Sequence, residues 1–549
     1  MDAPGIFGPP TRGARWRRVA AATLLLAAAG CSRRETPVAA GVRTQTLLLG
    51  NYAEPADLDP QVIVAYTDMN IINALFEGLT WIDPKTSQPV PAAAERWEVS
   101  ADGMRYTFHL RAGACWSNGD PLTADDFVFS FHRILTPGFA SSYSYMLWPI
   151  KNAEAFNNGK IVDFSLVGAK ALDDRTLRVD LERPTPYLPA LAAHTTWMPV
   201  PRKVIETFGA MAEKGTGWTR PGHLIGNGPF VLQEWTPNSR IVVVKNSRYW
   251  NAAHCRLSRI EFYPTDNPEA EELAFRAGQL DVTYTLPAAK IASYRAAVPS
   301  LLRIEPLLYT IYIGINTARA PFDRLALRRA LSLAIDRDAI ARDVFAGSVP
   351  PAHSLTPPNC GGYVPPSDLS CDPVEARRLL AEAGFPGGRG LPAIELLSFT
   401  DSNIRRAMEA IQAMWLRELG VHATLLPQEN KTLFQNQQDR NYTIGACGWV
   451  ADYADPFTFL GIMTTGNGNN WTGWSNPEYD RLLGEASETV DQARRFALFH
   501  QAEEILLREA PMLPIYFSPT VHAVQPVVHG WRTNELGFQR FQDAWLGED

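Results

Sequence analysis

The chain lacks an excess of positive charge. Its 51 Lys and Arg residues are outnumbered by 58 Asp and Glu residues, which gives a formal net charge of −7. The sequence also has no basic stripe and no platform of interleaved aromatic and basic residues. Because nucleic-acid binding relies on a cationic surface, we expect no nucleic-acid partner.

Motifs of the common enzyme classes are missing as well. The sequence has no Gly-x-Ser-x-Gly, no Ser-x-x-Lys, no phosphate-binding loop ending in Gly-Lys, and no His-Glu-x-x-His. None of its 10 His residues lies three or four positions from another, the spacing that puts two metal ligands on one helix face. We therefore predict a protein that is not an enzyme and that needs no metal or other cofactor.

A membrane-spanning run is absent from the N-terminus. The apolar run Val19–Ala29 is too short to cross a bilayer, which takes about 20 residues. It follows several arginines and precedes Cys31, an order typical of an export signal. We predict a lipoprotein signal peptide over residues 1–30, lipidation of Cys31, and a flexible tether over residues 31–45. The alternative is an ordinary cleaved signal with an incidental cysteine.

Cysteine is scarce, with 6 residues in the whole chain. Five cysteines remain when Cys31 is set aside. Because five is an odd number, at least one of these thiols must be free. Cys360 and Cys371 flank a loop rich in Gly and Pro, and in an oxidising compartment they are a possible disulfide. The alternative is two free thiols. The remaining cysteines lie in or beside apolar runs and are expected to be buried thiols: Cys115, Cys255 and Cys447.

Strand and helix patterns alternate along the chain without a strict repeat, which indicates an α/β or α+β fold. Strands are expected at residues 46–50, 105–110, 176–181, 240–246, 259–264, 309–316, 393–398, 422–426, 442–447 and 513–517. Helices are expected at residues 123–135, 328–344, 372–384, 403–419 and 491–509. A chain of 549 residues exceeds what one hydrophobic core usually holds, so we expect two or three domains.

The most informative segment runs from Gly448 to Pro456, with the sequence Gly-Trp-Val-Ala-Asp-Tyr-Ala-Asp-Pro. It follows a predicted strand and places Asp452 next to large aromatic side chains. Taken alone, such a segment is more often an ordinary strand end with a capping Asp. Its meaning depends on the other blocks of the chain.

Those blocks occur in order over nearly the whole chain that follows the signal. They are residues 58–60, 75–79, 106–111, 116–121, 126–128, 226–230, 249–250, 321–323, 334–337 and 380–384. Within them, Asn118-Gly119 supplies the positive φ of a tight turn before a capped helix. Together with the segment Gly448–Pro456, these blocks resemble the periplasmic oligopeptide-binding proteins, the solute receptors of ABC-type peptide importers.

The resemblance implies an α/β fold: a two-lobed periplasmic binding protein of type II, a "Venus flytrap", with an additional third domain. Lobe I would comprise residues 46–76, 194–308 and 519–549. The extra domain would comprise residues 77–193, and lobe II residues 309–518. The crossovers near Tyr309 and Ser518 would form a hinge about which the lobes close on a ligand.

Site residues follow from the resemblance position by position. Asp452 matches the acid that pairs with a peptide's amino terminus, and Tyr143 matches a tyrosine near the same group. The segments that hydrogen-bond the peptide backbone from the two lobes correspond to Gly448, Trp449 and Val450, and to Val64, Ala65 and Tyr66. A backbone contact is independent of side chain, so it suits a receptor that reads many peptide sequences.

The chain departs from the family's pattern at several positions. Family members have an acidic residue at the position of Val64, and cations that bind a short peptide's carboxylate at the positions of Ile404, Gln437 and Ala446. Arg405, Arg406 and Arg440 are possible substitutes, and the alternative is that they are solvated surface charges. A disulfide found in some members is replaced by Tyr309 and Val450. Without a cation in the cleft, longer peptides or ligands without a carboxylate would be favoured.

In function, the resemblance implies the substrate-binding lipoprotein of an ABC importer. It would be a periplasmic monomer that is anchored to a bacterial membrane by its lipid and passes extended oligopeptides to a permease. The ATPase subunits of the importer would be indirect partners, reached through the permease. One alternative is another solute in the same fold: a dipeptide, a nickel complex, haem or an oligosaccharide. Another alternative is presentation of a peptide signal to a membrane sensor.

Overall fold

The computed structural model describes residues 35–548. The predicted signal peptide and the lipidation site Cys31 lie outside these residues. The strands are β1 Thr46–Gly50, β2 Thr80–Ile82, β3 Pro89–Pro91, β4 Ala94–Val99, β5 Arg105–Leu110, β6 Ala169–Asp173, β7 Thr176–Asp180, β8 Phe230–Thr236, β9 Arg240–Lys245, β10 Arg259–Tyr263, β11 Leu302–Glu305, β12 Tyr309–Ile315, β13 Ile394–Phe399, β14 Ala423–Gln428, β15 Ile444–Val450, β16 Met512–Phe517, β17 Thr520–Ala523, β18 Val528–His529 and β19 Trp545–Leu546.

The helices lie between the strands, together with short 3₁₀ segments and one π-helical segment, Ile340–Val344. They are α1 Pro37–Thr44, α2 Tyr66–Leu75, α3 Ala124–Leu135, α4 Ala153–Asn157, α5 Leu188–Leu191, α6 Arg202–Phe208, α7 Pro268–Arg276, α8 Ala288–Ala297, α9 Leu325–Leu333, α10 Arg337–Ala339, α11 Pro373–Glu382, α12 Ser402–Leu419, α13 Asn430–Gln438, α14 Phe457–Leu460, α15 Pro477–Glu488 and α16 Gln492–Glu509. In this part of the chain, none of them has the length and apolarity to cross a membrane.

A four-stranded sheet of order β1-β10-β9-β8 is built from the segments assigned to lobe I. The central strand β10 pairs in parallel with β1 and antiparallel with β9. Leu47, Leu48 and Leu49 are all buried, so β1 is covered on both faces. Strand β1 therefore lies inside lobe I, whereas the opposite edge strand β8 is partly exposed.

The extra domain contains an antiparallel sheet of order β4-β5-β7-β6. In β5, Tyr106, Phe108 and Leu110 alternate inward, as expected for a sheet that is covered on one face. Helix α3 packs on β6 and β7. It begins with a capping box in which the Asp126 side chain accepts from the Thr123 backbone N–H at 2.8 Å.

Lobe II contains a mixed five-stranded sheet of order β14-β13-β15-β12-β16. Strands β14, β13 and β15 run parallel, whereas β12 is antiparallel to both β15 and β16. Helices α9, α11 and α12 pack together and supply Leu331, Leu380 and Trp415 to the core of this lobe. The strands β12 and β15 at the centre of this sheet carry the residues of the candidate site.

The chain passes between the two lobes along two neighbouring paths. One leads from β11 into β12 and the other from β16 into β17. The paired strands β11 and β17 continue on one side of the crossing, and β12 and β16 pair on the other. The backbone N–H of Ser518 donates to the carbonyl of Tyr309 at 2.9 Å and ties the two paths together. Two adjacent strands of this kind are typical of a hinge.

Two expectations from the sequence are wrong in detail. Residues 37–44 of the predicted tether form helix α1, whose Val38 is buried and donates its backbone N–H to the carbonyl of Gly278 at 3.1 Å. Thr36 caps this helix and Pro37 occupies its first turn, which favours a helix over a flexible tether. The single helix expected over 328–344 is interrupted after Leu333, and Asp336 caps a new turn.

The predicted disulfide is also wrong, because both Cys360 and Cys371 are free thiols. Cys360 is fully buried in a tight loop that turns at Asn359 and Gly361, both with positive φ. Cys371 is exposed, just before helix α11. The loop turns one cysteine into the core and leaves the other in solvent, which keeps their sulfurs apart. The other described cysteines are free as expected, although Cys115 is only half-buried.

Candidate ligand-binding site

Asp452 lies just beyond the end of β15 and is mostly buried. Its backbone N–H donates to Oγ1 of Thr458 at 3.2 Å, and its Oδ2 accepts a hydrogen bond from the Tyr145 hydroxyl at 3.2 Å. Among residues 35–548, no Lys, Arg or His forms an ion pair with it. Burial raises the pKa of Asp452 to about 6. This carboxylate is therefore poised to receive a cation.

Tyrosines surround the Asp452 carboxylate. Tyr143 and Tyr145 pack with ring centroids 5.7 Å apart, and burial followed by the charge of Asp452 raises the pKa of Tyr143 to about 12. The pKa of Tyr66 is raised by the same two causes in the same order. The predicted Tyr143 is thus close to the acid, but the hydrogen bond comes from Tyr145. The repeat Ser-Tyr-Ser-Tyr over residues 142–145 left the choice between the two open in the sequence.

Strand β15 presents an open edge beside Asp452. On one side the strand pairs with β12 along its whole length, from Ile444 opposite Ile315 to Val450 opposite Tyr309. On the other side β13 pairs with it only at Ile444 and Gly445. Within the described residues, the last five residues of β15 therefore have no strand on their second edge.

The register shows which backbone groups face this open edge. The backbone N–H of Ala451 donates to the Leu308 carbonyl, so this residue directs its backbone groups toward β12. Hydrogen bonding alternates along an antiparallel pair, so Trp449 and every second residue before it also face β12. Gly448 and Val450 alternate with them and direct their N–H and C=O groups outward. Of the three predicted backbone-binding residues, these two are free to bind an extended ligand, whereas the backbone of Trp449 is used within the sheet.

The predicted contact segment of the opposite lobe is not a strand. Tyr66 is the first residue of helix α2, and the carbonyl of Ala65 accepts from Asp68 and Met69 N–H at 3.1 Å. Val64 is 53 % exposed and precedes the helix. Tyr66 stacks on Phe538, with ring centroids 5.3 Å apart. This segment therefore presents an exposed turn and an aromatic ring to the cleft, and not a strand edge.

The three arginines considered from the sequence have different surroundings. Arg405 is exposed and pairs with Glu409 at 3.8 Å. Arg440 contacts the Asn470 carbonyl at 3.5 Å in a loop. Arg406 alone among them lines a cavity between the lobes. Its guanidinium lies over the Phe345 ring, 5.5 Å from the centroid.

The positions at which relatives are expected to carry cations are packed inside lobe II. Ile404 and Ala446 are buried. Gln437 is fully buried, and its side-chain N–H donates to the Ala446 carbonyl at 2.9 Å. Tyr309 and Val450 lie directly opposite one another across β12 and β15, at the two positions that replace the disulfide of some members. Buried uncharged side chains, among them the hydrogen-bonded Gln437, thus take the place of the cations, and the disulfide is replaced by a pair of side chains across the two strands.

The first of two large cavities, which we call the hinge cavity, lies between the lobes and has a volume of about 580 Å³. It is lined from lobe I by residues that include Tyr66, Arg295 and His522, and from lobe II by residues that include Tyr309, Arg406 and Val450. No Asp or Glu is present among the described residues of its lining. Its charged groups are therefore cationic, although the chain as a whole is acidic.

The second, which we call the acidic cavity, lies between the extra domain and lobe II and has a volume of about 800 Å³. Its lining includes Trp449, Asp452 and three further acids, Glu154, Glu182 and Asp480, against one cation, Arg183. Strand β15 thus connects two cavities of opposite charge, because Val450 lines one and Trp449 the other. In residues 35–548, no cluster of three His, Cys, Asp or Glu is arranged to hold a metal ion.

A second acid of the same segment has a structural role. Asp455 forms a bidentate ion pair with Arg495, with distances of 2.5 and 2.7 Å, and both side chains are buried. The guanidinium also lies over the rings of Tyr187 and Phe499. Asp455 is thus fully paired within the protein, in contrast to Asp452.

Comparison with known proteins places the chain in a family. Residues 88–471 match the model of the bacterial extracellular solute-binding proteins, family 5 Middle. The probable deoxycholate-binding periplasmic protein YgiS of Escherichia coli (strain K12) is 36% identical over 498 residues, covering 89% of this chain and 90% of that protein. The periplasmic oligopeptide-binding protein OppA of Salmonella typhimurium is 34% identical over 521 residues, covering 93% of this chain and 94% of that protein.

Solved structures give the same answer for the fold. The crystal structure of Haemophilus influenzae OppA in complex with RPPGFSPFR matches with a TM-score of 0.75 at 30% identity, and the match covers 92% of this chain and 99% of that chain. The resemblance seen in the sequence, the two-lobed α/β fold and the prediction of a receptor without enzymatic activity are confirmed by these relatives. The chain belongs to family 5 of the bacterial extracellular solute-binding proteins.

Proposed function

We propose that this protein binds extended oligopeptides between its lobes and delivers them to the permease of an ABC importer. The observation that carries the proposal is a mostly buried carboxylate without a cation, Asp452, placed at the end of an open strand edge. The peptide's ammonium pairs with this carboxylate, and the N–H and C=O groups of Gly448 and Val450 bind its backbone. Relatives named as oligopeptide-binding proteins support this assignment.

The acidic cavity supports the same orientation of the peptide. Its acids Glu154, Glu182 and Asp480 line the same cavity as Asp452 and attract the positive end of a ligand. Tyr145 holds the Asp452 carboxylate through its hydroxyl, and Tyr143 packs beside it. The peptide then runs along β15 toward the hinge cavity, and lobe closure about the two crossing strands excludes water from the charged pair.

Location and assembly belong to the same proposal. The protein is exported to the periplasm, as its relatives' names indicate for them, and is anchored to a bacterial membrane by a lipid on Cys31. It acts as a monomer that meets the permease, and through it the ATPase subunits. Mass spectrometry of the membrane-bound protein tests whether Cys31 carries the lipid. In a cell fractionation, a Cys31→Ala variant is expected to move to the soluble periplasmic fraction.

The proposed function is tested by titration calorimetry of the soluble protein with peptides of three to eight residues and with their N-acetylated counterparts. Free peptides are expected to bind and acetylated ones to lose most of their affinity, because acetylation removes the ammonium that Asp452 pairs. The matched control is Glu95→Gln, which removes an exposed charge outside the lining of both cavities and leaves Asp452 intact. Equal binding of free and acetylated peptides contradicts the role of Asp452.

A second candidate ligand is an amphipathic carboxylate such as a bile acid. The hinge cavity favours it, since its lining is mostly apolar and includes Phe345, Tyr516 and Trp531, while its charges are arginines. One relative carries the name of a probable deoxycholate-binding protein. Deoxycholate binding without any peptide binding would assign the protein to this second function.

A further inference from the structure

We propose that a carboxylate of the ligand binds in the hinge cavity between Arg295 of lobe I and Arg406 of lobe II, and thereby holds the lobes together. The inference rests on the proposed function, since it places the ligand's anionic end in the same cleft. It differs from the expectation from sequence, which considered only cations of lobe II.

The two guanidinium groups border the same short segment of lobe II. Arg295 lies on helix α8, and its Nη1 donates to the carbonyl of Ala346 at 2.5 Å. Arg406 lies on helix α12, and its Nη1 donates to the carbonyl of Val344 at 3.4 Å. These carbonyls belong to residues only two positions apart, so the arginines approach one segment from opposite lobes. Residues two apart lie within about 7 Å of each other along the chain.

Neither arginine has a counterion among residues 35–548. No Asp or Glu oxygen lies within ion-pair distance of either group in the described part of the chain, and none lines the cavity. The neighbouring acids of this helix have other partners: Glu409 pairs with Arg405 at 3.8 Å, and Oδ1 of the N-cap Asp401 accepts from two backbone N–H groups at 2.9 Å. Two neighbouring cations without an anion repel one another, and an anion between them removes that repulsion.

The surroundings indicate a carboxylate attached to an apolar group. A planar guanidinium forms two parallel hydrogen bonds to a carboxylate, and two such groups can share one anion. Phe345, Tyr516 and Trp531 line the same cavity, and the buried Nε1–H of Trp531 has no acceptor among residues 35–548. A peptide's C-terminus and the acid group of a bile acid both offer this chemistry.

The position of the pair couples recognition to closure. Arg295 is carried by lobe I, and Arg406 packs with the strands of lobe II through α12. An anion held by both contributes its full binding energy only when the lobes are close together. A ligand with a free carboxylate is therefore expected to favour the closed form over the open form.

The test compares a pentapeptide as the free acid and as its C-terminal amide, both with free amino termini. Calorimetry is done on the unmodified chain and on the variants Arg295→Gln, Arg406→Gln and Arg405→Gln. We expect the acid to bind about tenfold more tightly than the amide, as several exposed ion-pair contacts together would give. Arg295→Gln and Arg406→Gln abolish the difference. Arg405→Gln keeps it, because Arg405 lies on the same helix but outside the cavity lining.

Each outcome decides the question. Equal affinity for acid and amide on the unmodified chain overturns the carboxylate site and leaves peptide binding intact. Binding of neither form refutes the proposed peptide function, and deoxycholate is then titrated against the same proteins. Loss of its binding in the Arg295 and Arg406 variants alone supports the site, whereas unchanged binding, or no binding at all, overturns it. Both arginines are exposed, so unchanged melting temperatures are expected to show that the variants fold.

Discussion

At the scale of single residues, two acids three positions apart have opposite roles. Asp455 is paired with Arg495 inside lobe II, whereas Asp452 is mostly buried without a cation. A paired buried carboxylate stabilises its partner, but an unpaired one destabilises the free protein and binds a cationic ligand. Their chemistry is identical, so in the sequence only the resemblance to the family selects Asp452. The physical difference between the two acids comes from their neighbours in the fold.

Substitution of these acids is expected to change stability in opposite directions. Asp455→Asn leaves the buried Arg495 unpaired and lowers the free energy of unfolding by about 3–5 kcal/mol. Asp452→Asn removes an unpaired, desolvated charge and raises the free energy of unfolding by about 1–3 kcal/mol at neutral pH. In the same variant, the free energy of peptide binding becomes weaker by about 2–5 kcal/mol. Urea unfolding and calorimetry measure both quantities. A stability loss in Asp452→Asn with unchanged affinity would contradict this assignment.

The raised pKa of Asp452 predicts how peptide affinity depends on pH. Since this pKa is about 6 in the free protein, the carboxylate is ionised at pH 7.5 and becomes protonated as the pH falls through about 6. A protonated acid cannot pair with an ammonium, so affinity is expected to fall by up to about tenfold per pH unit below that point. Titrations at several pH values measure the slope, and Asp452→Asn should not show it.

At the scale of elements, the open edge of β15 links the fold to the site. Because β13 leaves the strand after Gly445, the backbone groups of Gly448 and Val450 have no partner from the sheet among the described residues. Gly448 lies close to its neighbour: a Cβ atom there would lie 2.8 Å from a ring carbon of Tyr309. The glycine therefore allows β12 and β15 to pack at the point where the ligand is expected.

Gly448→Ala is expected to displace Tyr309 and the strand edge. Such overpacking destabilises by about 1–3 kcal/mol and should weaken peptide binding by a similar amount. Gly468→Ala is the matched control, since a Cβ at that loop position meets no atom within 4 Å. Thermal unfolding and calorimetry on both variants check the prediction. Equal behaviour of the two variants would show that the strand edge tolerates a side chain and would weaken the assigned contact.

At the scale of the whole molecule, buried acids determine how stability depends on pH. Burial raises the pKa of Glu271, Asp281, Glu503 and Glu535 to about 7. Unfolded carboxyls titrate near pH 4, so the folded state binds more protons between about pH 4 and 7. Their contribution to stability is therefore present at low pH and is lost as the pH rises through about 7.

The protein is accordingly expected to melt at a higher temperature at about pH 6 than at about pH 8, by roughly 2–5 °C. His194 acts in the opposite direction, because burial lowers its pKa to about 4 and protonation in the unfolded state begins below about pH 6.5. Burial also lowers the pKa of His132 and of His522, which act in the same direction as His194. The four acids outnumber these three histidines in this pH range. Scanning calorimetry of the ligand-free protein measures the difference. A melting temperature that rises from pH 6 to pH 8 would contradict a dominant contribution from the buried acids.

Most regular elements of the fold were predictable from local patterns. Strands such as β5 and β12 alternate apolar residues or carry β-branched runs, and helix α3 has its capping residues in the sequence. The helix expected across residues 328–344 failed because its apolar spacing continues past Asp336, which caps a separate turn. The disulfide failed because cysteine spacing carries no information on the direction in which a loop turns.

The sequence by itself determined the family, the secondary structure and the candidate acid Asp452, since these depend on local spacing and on blocks of neighbouring residues. Tertiary structure decided that Tyr145 holds this acid, that Gly448 and Val450 face an open edge, and that Arg295 lies opposite Arg406 across the cleft. These relations join residues that are far apart in the chain. Charge, register and burial at the site are properties of packing between segments, which no local pattern contains.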